Sequence, residues 1–322
     1  MLPSDADPIR DLRALLAQGR YQDVLARYPV SERQREPAMT LGVATAATRL
    51  GQLAAGENLA GAALGEFRAR ADDDGRMRTL NLLGAIMFER GRLADAGRYW
   101  AEALDIGRAL GDTQLVARAS NNLASALHLE GRTEVARSRY REALLAYQRM
   151  ADRRGLAETC YNLAIVCRLE GDLEGAEDFG AEAVRHADVV GDAVLLALMT
   201  VGRAETMLER REFALAAEAL DRADRLAREA ADELGQADVL RVRAERWLRV
   251  GEPGRALDAA RAGRQIAAGH QSALLEGECA AIEARAAARL GRVDEVATAR
   301  ALAERIFTEL GATLHLDRLR GE

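Results

Sequence analysis

The sequence predicts an all-α fold, a solenoid of antiparallel helix pairs, and three observations carry that expectation. Gly51, Gly91, Gly131, Gly171, Gly251 and Gly291 stand in one 40-residue register, which only Arg211 interrupts. A second series, Asp72, Asp112, Asp152, Asp192 and Asp232, keeps the same period at a constant offset from the first. Two punctuation marks locked to one period are the signature of an internal repeat. The third observation is compositional: apolar residues make up 49% of the chain but aromatics only 4%, and four of the five prolines fall before residue 38. Small side chains and long proline-free stretches suit helices that pack closely.

Taken in order, residues 1–8 (MLPSDADP) are polar and proline-bearing, and are expected to be loose. A short helix from Ile9 to Ala17 is expected to end at Gly19, and another from Tyr21 to Tyr28 to end before Pro29. This pair is off the register and reads as a truncated first unit, as the exposed end of an array requires. The segment PVSERQREP then leads to Ala38, where an array of about seven repeats begins and runs to residue 311. Residues 312–322 read as a capping helix over the last pair, hiding Leu314, Leu316 and Leu319.

Each repeat has one design, which residues 113–152 illustrate. Asp112 is a good N-cap, because its carboxylate can accept from the free N–H groups of a first turn. Leu115, Ala119, Leu123, Ala126 and Leu127 recur at spacings of three and four, which predicts an amphipathic helix. Gly131 stops it, since glycine enters the left-handed conformation that closes a helix. A second helix is expected from near Thr133 to about Met150, with Val135, Ala136, Tyr140, Ala143, Leu144 and Tyr147 on its buried face. Pro253 falls in the first turn of the matching helix of a later repeat, where proline is tolerated.

Two further rows of small residues share the period: Gly84, Ala124, Ala164, Ala204, Ala244 and Ala284 in the first helices, and Gly56, Ala96, Ala136, Ala176, Ala216 and Ala256 in the second. They let the two helices of a pair approach closely. No single pair can stand alone, because fixing its backbone costs roughly 1–2 kcal/mol per residue. Stacking on neighbours is what makes such a pair fold.

Composition excludes several chemistries. All 45 basic residues are arginine, so neither Schiff-base catalysis nor a phosphate-loop lysine is available. A net charge of −6 offers no global attraction to nucleic acid, so no direct nucleic-acid partner is expected. Cys160 and Cys167 lie two turns apart on one helix, roughly 10 Å at 1.5 Å per residue, too far to bridge. Free thiols in a reducing cytoplasm are the natural reading. No signal peptide or apolar run of membrane-spanning length is present, so no membrane association is expected. His186, His270 and His315 have no metal-ligand spacing with one another or with the cysteines, so no metal and no cofactor is expected. The motifs G-x-S-x-G and H-E-x-x-H are absent, and a non-catalytic protein is expected.

The order Leu-Gly/Ala, Gly, Ala, aromatic, Ala resembles the tetratricopeptide repeat. It reads Leu83-Gly84, Gly91, Ala96, Trp100, Ala103 in one unit, and Leu123-Ala124, Gly131, Ala136, Tyr140, Ala143 in the next. A third unit has Leu163-Ala164, Gly171, Ala176, Phe179 one place early, and Ala183. The period is 40 rather than the usual 34, and the proline that normally ends the second helix is missing. These departures make the chain similar to the kinesin-light-chain, LGN and bacterial Rap- or MalT-like subtypes. The resemblance implies a right-handed superhelix with first helices lining a concave groove and second helices outside.

On that implication the groove face of the first helices presents Arg78, Asn81, Arg118, Asn121, Asn122, Ser125, His128, Glu158, Tyr161, Asn162, Arg168, Glu205, Arg241, Glu245 and Arg285. Asparagine is a poor helix-interior residue, so Asn81, Asn121, Asn122 and Asn162 need a reason. In the similar repeats such asparagines grip an extended peptide, and an amide has both a donor and an acceptor for that task. The other reading is that they bond across the helix interface or to water. The arginines either meet a carboxylate or phosphate of a partner, or pair with the glutamates between them in a solvated face. His128 is either a pH-sensitive contact or a plain surface or groove histidine. The expected function is an adaptor that holds a peptide or protein segment in the groove. The alternative is a peptide- or small-ligand-responsive regulator acting through a partner, and a third is self-assembly through the array ends into weak homo-oligomers.

Overall fold

The computed structural model describes residues 8–18, 20–29 and 36–321. Gly19, most of the 29–37 linker and the first seven residues, expected to be loose, lie outside the described residues. Among those described, every regular element is helical: α1 (Pro8–Ala17), α2 (Tyr21–Arg27), α3 (Pro37–Arg49), α4 (Leu53–Ala69), α5 (Asp73–Glu89), α6 (Leu93–Leu110), α7 (Thr113–Leu129), α8 (Thr133–Met150), α9 (Arg153–Leu169), α10 (Leu173–Val190), α11 (Ala193–Glu209), α12 (Phe213–Glu229), α13 (Glu233–Arg249), α14 (Pro253–Gly269), α15 (Ala273–Arg289), α16 (Val293–Leu310) and α17 (Thr313–Gly321). The fold class is the expected one, and α7 and α8 fall where the 113–152 pattern puts them.

The aspartate series caps as expected. Asp72, Asp112, Asp152, Asp192 and Asp232 each accept the backbone N–H three residues on, at 2.9–3.1 Å. The glycine series ends the first helices with positive φ, and Arg211 takes the same conformation at φ 62°. The second helices end at a matching left-handed residue, Ala71, Gly111, Ala151, Gly191, Ala231, Gln271 or Gly311. The chain therefore turns the same way at every junction from α3 to α17, glycine or not.

The chain divides into two compact units, Met1–Leu123 and Ala124–Glu322. In the first, α1 and α2 pack Leu12, Leu15 and Val24 against Met39 and Val43 of α3. A Cβ on Gly42 would overlap the Leu12 side chain, so that glycine admits α1. Farther on, the Trp100 indole lies against Gly84 and donates to the Asn81 carbonyl at 3.1 Å. In the second unit, α9/α10, α11/α12, α13/α14 and α15/α16 form successive pairs, and α9, α11, α13 and α15 also touch one another in sequence. Ala136, Ala176, Ala216 and Ala256 are wholly buried, which is the close approach the small-residue row implies.

One assignment needs correction. Val135, placed on the buried face of the second helix, is exposed at 41%. It stands about 100° around the helix from Ala136, and the narrow face of an alanine contact does not extend that far.

Candidate functional site

The first helices of the second unit line an open cavity of about 1120 Å³. Their lining residues repeat at helical spacing. Val194, Leu234, Leu274 and Leu314 are the second residues of α11, α13, α15 and α17, and form an apolar edge. One turn on come Leu198, Asp238, Glu278 and Arg318, then Tyr161, Val201, Arg241 and Ala281. Glu205, Glu245 and Arg285 follow, and Arg168, His128, Glu209 and Arg249 lie deeper along the helices. Steps of three and four keep all of these on one helix face.

The charged residues form two clusters, one around Arg241 and one around Arg249. Glu205 takes Arg168 and Arg241 at 2.9 Å each, one on each carboxylate oxygen. Arg241 Nε donates to Asp238 at 2.8 Å and stands 3.4 Å from Glu278, whose other oxygen meets His315 Nε2 at 3.1 Å. Glu245 pairs with Arg249 and Arg285, and Arg249 also reaches Glu209 at 2.7 Å. Burial alone would raise the carboxyl pKa values; the neighbouring arginines outweigh it at Glu205, which is lowered, and at Glu278, held at about 2. At Asp238 burial wins over the pull of Arg241 and the pKa is raised. Arg241, with three carboxylates around it, is held firmly charged against its burial.

His128 and Tyr161 complete the wall. His128 is buried to 9% exposure, and its pKa falls to about 4 because burial and the nearby His315, Arg318 and Arg168 all disfavour its cation. The Tyr161 ring lies where a side chain on Gly202 would stand, and its burial pushes the phenol pKa up. The Cys160 and Cys279 thiols are raised to about 12 by burial, which suppresses the thiolate a nucleophile needs.

Of the residues expected in a groove, His128, Tyr161, Arg168, Glu205 and Arg241 line this cavity, with Glu245 and Arg285. Ser125 and Asn162 belong to the same unit but are not in its wall; Ser125 accepts from the Tyr140 hydroxyl at 3.1 Å. Arg78, Asn81, Arg118, Asn121 and Asn122 belong to the first unit. There Asn122 donates to the Asn81 side chain at 3.3 Å, Asn121 is buried, and Arg78 pairs with Asp74. Two of the four asparagines thus bond across the helix interface, one of the two roles weighed above. Arg168, Arg241 and Arg285 pair with Glu205 or Glu245, as the second reading of that face had it, but Arg168, Arg241 and Glu205 do so largely buried rather than in a solvated face.

The sequence reading missed Asp238, Glu278 and the contribution of α17. The nine-residue α17 buries Leu316 and Leu319 as a cap would, but it also supplies Leu314, His315 and Arg318 to the cavity. Its Thr313 hydroxyl lies 3.4 Å from the Leu129 carbonyl at the end of α7. The signal was present: Leu314 and Arg318 stand 40 residues after Leu274 and Glu278.

Residues 75–149 and 115–188 match the tetratricopeptide repeat family model. No curated protein sequence matches the chain. Among solved structures, a Rap protein complexed with competence and sporulation factor aligns with TM-score 0.80 and 14% identity, over 94% of this chain and 85% of that one. The Rap conjugation gene regulator of plasmid pLS20 in complex with the Phr* peptide aligns with TM-score 0.69 and 14% identity, over 99% and 80%. The apo form of the quorum sensor NprR from B. thuringiensis aligns with TM-score 0.64 and 14% identity, over 92% and 83%. At these identities the likeness is one of fold.

Proposed function

We propose that this chain, which carries tetratricopeptide repeats over residues 75–188, is a non-catalytic regulator that takes a short peptide into the cavity of its second unit and acts through a protein partner. The carrying observation is the cavity itself: about 1120 Å³, above the usual span of about 300–1,000 Å³ for small-molecule sites, with an apolar edge beside two clusters of paired charges. That combination suits a peptide, which has apolar side chains and a polar backbone. Two of the similar folds are complexes, one with competence and sporulation factor and one with the Phr* peptide.

The adaptor reading uses the same cavity without a response. A responsive element is favoured by the slender closure between α17 and α7, where the Thr313 hydroxyl and Leu129 carbonyl meet at 3.4 Å. A ligand that prefers one spacing of these helices shifts the population toward it. The three cysteines are buried free thiols, and burial raises the Cys160 and Cys279 pKa values, which disfavours a nucleophilic role for them. Among the described residues no helix is long and apolar enough to cross a membrane.

The test is equilibrium capture of a random pentapeptide pool, read by mass spectrometry, with the natural protein and with Ala281→Trp, which places an indole in the cavity. Circular dichroism establishes that the variant is folded. The expected outcome is a restricted set of sequences retained by the first and lost by the second. Retention of nothing, or of the same set by both, removes the cavity as the peptide site. Small-angle scattering with a retained peptide then separates the classes: compaction marks the regulator, an unchanged profile the adaptor.

A further inference from the structure

Within the cavity one corner is left electrostatically open. Every acidic residue of the wall is engaged: Glu205, Asp238 and Glu278 by Arg241, Arg168 and His315, Glu209 and Glu245 by Arg249 and Arg285, and Asp232 by its own helix. Of the five arginines in the wall, Arg318 alone has no ion-pair or hydrogen-bond partner among the described residues. Beside it, His128 is buried to 9% exposure and its Nδ1 is buried with no hydrogen-bond partner among the described residues; Nδ1 of His315 is likewise buried and unpartnered. A buried imidazole nitrogen without a partner is costly unless something else satisfies it, and the exposed Arg318 guanidinium beside it carries no ion pair of its own. The apolar edge lies close by, since Leu314 is on the same face of α17 one turn before Arg318.

We infer that the Arg318–His128 corner is a carboxylate-binding subsite, and that the peptide held in the cavity places one anionic group there with apolar side chains along Leu234, Leu274 and Leu314. A carboxylate matches the fork of an arginine and accepts from an imidazole N–H at the same time. The single unmatched positive charge of the wall calls for one anionic group, not several. This subsite rests on the peptide reading above, but its chemistry can be tested apart from it. The anion also changes His128: Arg168 from α9, with His315 and Arg318 from α17, now disfavour its protonated form, while Glu205 and Glu278 are already committed to other partners. Neutralising Arg318 with a carboxylate lifts part of that opposition, so binding draws a proton toward His128.

The first probe is hexanoate, a carboxylate with a short apolar tail, titrated into the full chain while the His128 ring resonances are followed by NMR. Assignment comes from His128→Gln. At the millimolar affinity expected of so small a ligand, the His128 signal shifts saturably and its midpoint rises by about one pH unit. Hexylamine and hexanol leave it in place. Arg318→Gln, on an exposed position of a terminal helix, weakens hexanoate at least tenfold, and Arg318→Lys restores part of the loss. No saturable shift up to about 100 mM hexanoate, or an equal response in Arg318→Gln, overturns the subsite.

Three pentapeptide pools, with a free C-terminus, with a C-terminal amide, and amidated with one Asp, then identify the source of the carboxylate. Preference for the first assigns a terminal carboxylate and for the third a side chain. Equal retention of all three pools by natural protein and Arg318→Gln leaves the peptide reading standing and removes the subsite. Hexanoate binding as expected with no pool retained does the reverse.

Discussion

The Tyr147 ring covers Gly155 so closely that a Cβ on the glycine would overlap it. Tyr147 ends one repeat and Gly155 begins the next, so this contact sets how a hairpin sits on its successor. Phe67 and Gly75 make the same contact at the same register position of an earlier junction. At two other junctions the sizes are exchanged: Gly107 stands where the ring would be and Leu115 where the glycine would be, and Ala187 is matched with Leu195. At these four junctions a large residue meets a small one, as close-packed interiors require, whereas Ala227 and Gly235 are both small. Gly155→Ala is therefore expected to destabilise the second unit by about 1–3 kcal/mol, although alanine is the better helix former. Denaturant unfolding checks this, and the cost should shrink in a Tyr147→Leu background, because the two sites share one space.

Arg211 provides a prediction of opposite sign. It is an exposed residue held at φ 62°, in a row of positions where every other first helix from α3 to α15 ends in glycine. Left-handed backbone costs a side-chain-bearing residue roughly 1–2 kcal/mol, and glycine returns roughly 0.5–1 of that through its freer unfolded state. Arg211→Gly should therefore stabilise by about 0.5–1 kcal/mol. A thermal melt with an unchanged or lower midpoint would contradict this account of the turn.

These two cases mark what could be read from the chain. The period, the aspartate caps and the helix limits were legible because each depends on a residue type that acts locally, as Asp152 does on the Gly155 N–H. Left-handed Ala71, Ala151, Ala231 and Gln271 were not legible, since nothing in their chemistry asks for that conformation; packing of the adjoining helices imposes it. The groove face was half legible. His128, Tyr161, Arg168, Glu205 and Arg241 fall on one helical stripe, whereas Asn162, one residue after Tyr161, leaves it. Asp238 and Glu278 looked like ordinary solvated acids; Asp238 meets Arg241 from three residues away on α13, whereas only the packing of α15 beside α13 puts Glu278 against it. Arg318 was hidden because residues 312–322 read only as a cap, not as a further first helix in the 40-residue register.

Glu205 joins Arg168 and Arg241, both of which keep little solvent contact, at 14% side-chain exposure. Removing its charge leaves two guanidiniums facing one another with reduced compensation. For a largely buried pair, loss of one partner costs about 3–5 kcal/mol, and the water-filled side of the cavity lowers that here. Glu205→Gln is expected to destabilise by about 2–3 kcal/mol, and Arg168→Gln in the same chain to restore part of it. A double-mutant cycle from chemical denaturation measures the coupling; strict additivity would mean that the two charges do not sense each other.

His128 gives the chain a specific acid sensitivity. Unfolded, its imidazole titrates near 6.5; folded, burial and the cations of Arg168 and Arg318, with His315 beside it, bring this to about 4. Between those values the unfolded chain binds more protons than the folded one, so stability is intact above about 6.5 and falls as the pH is lowered toward 4. At 1.36 kcal/mol per unit the full loss is about 3 kcal/mol. Glu278 acts in a lower window, because its carboxylate stays charged in the fold down to about 2 and its stabilisation is lost only as the pH falls from about 4.5 toward that value. Unfolding free energies measured from pH 7.5 to 4.5 should therefore slope downward in the natural protein. His128→Gln, which cannot titrate, should flatten most of that slope while leaving the steeper decline below 4.5. If the variant keeps the whole slope above 4.5, the acid sensitivity belongs to another group and His128 is not the proton's target.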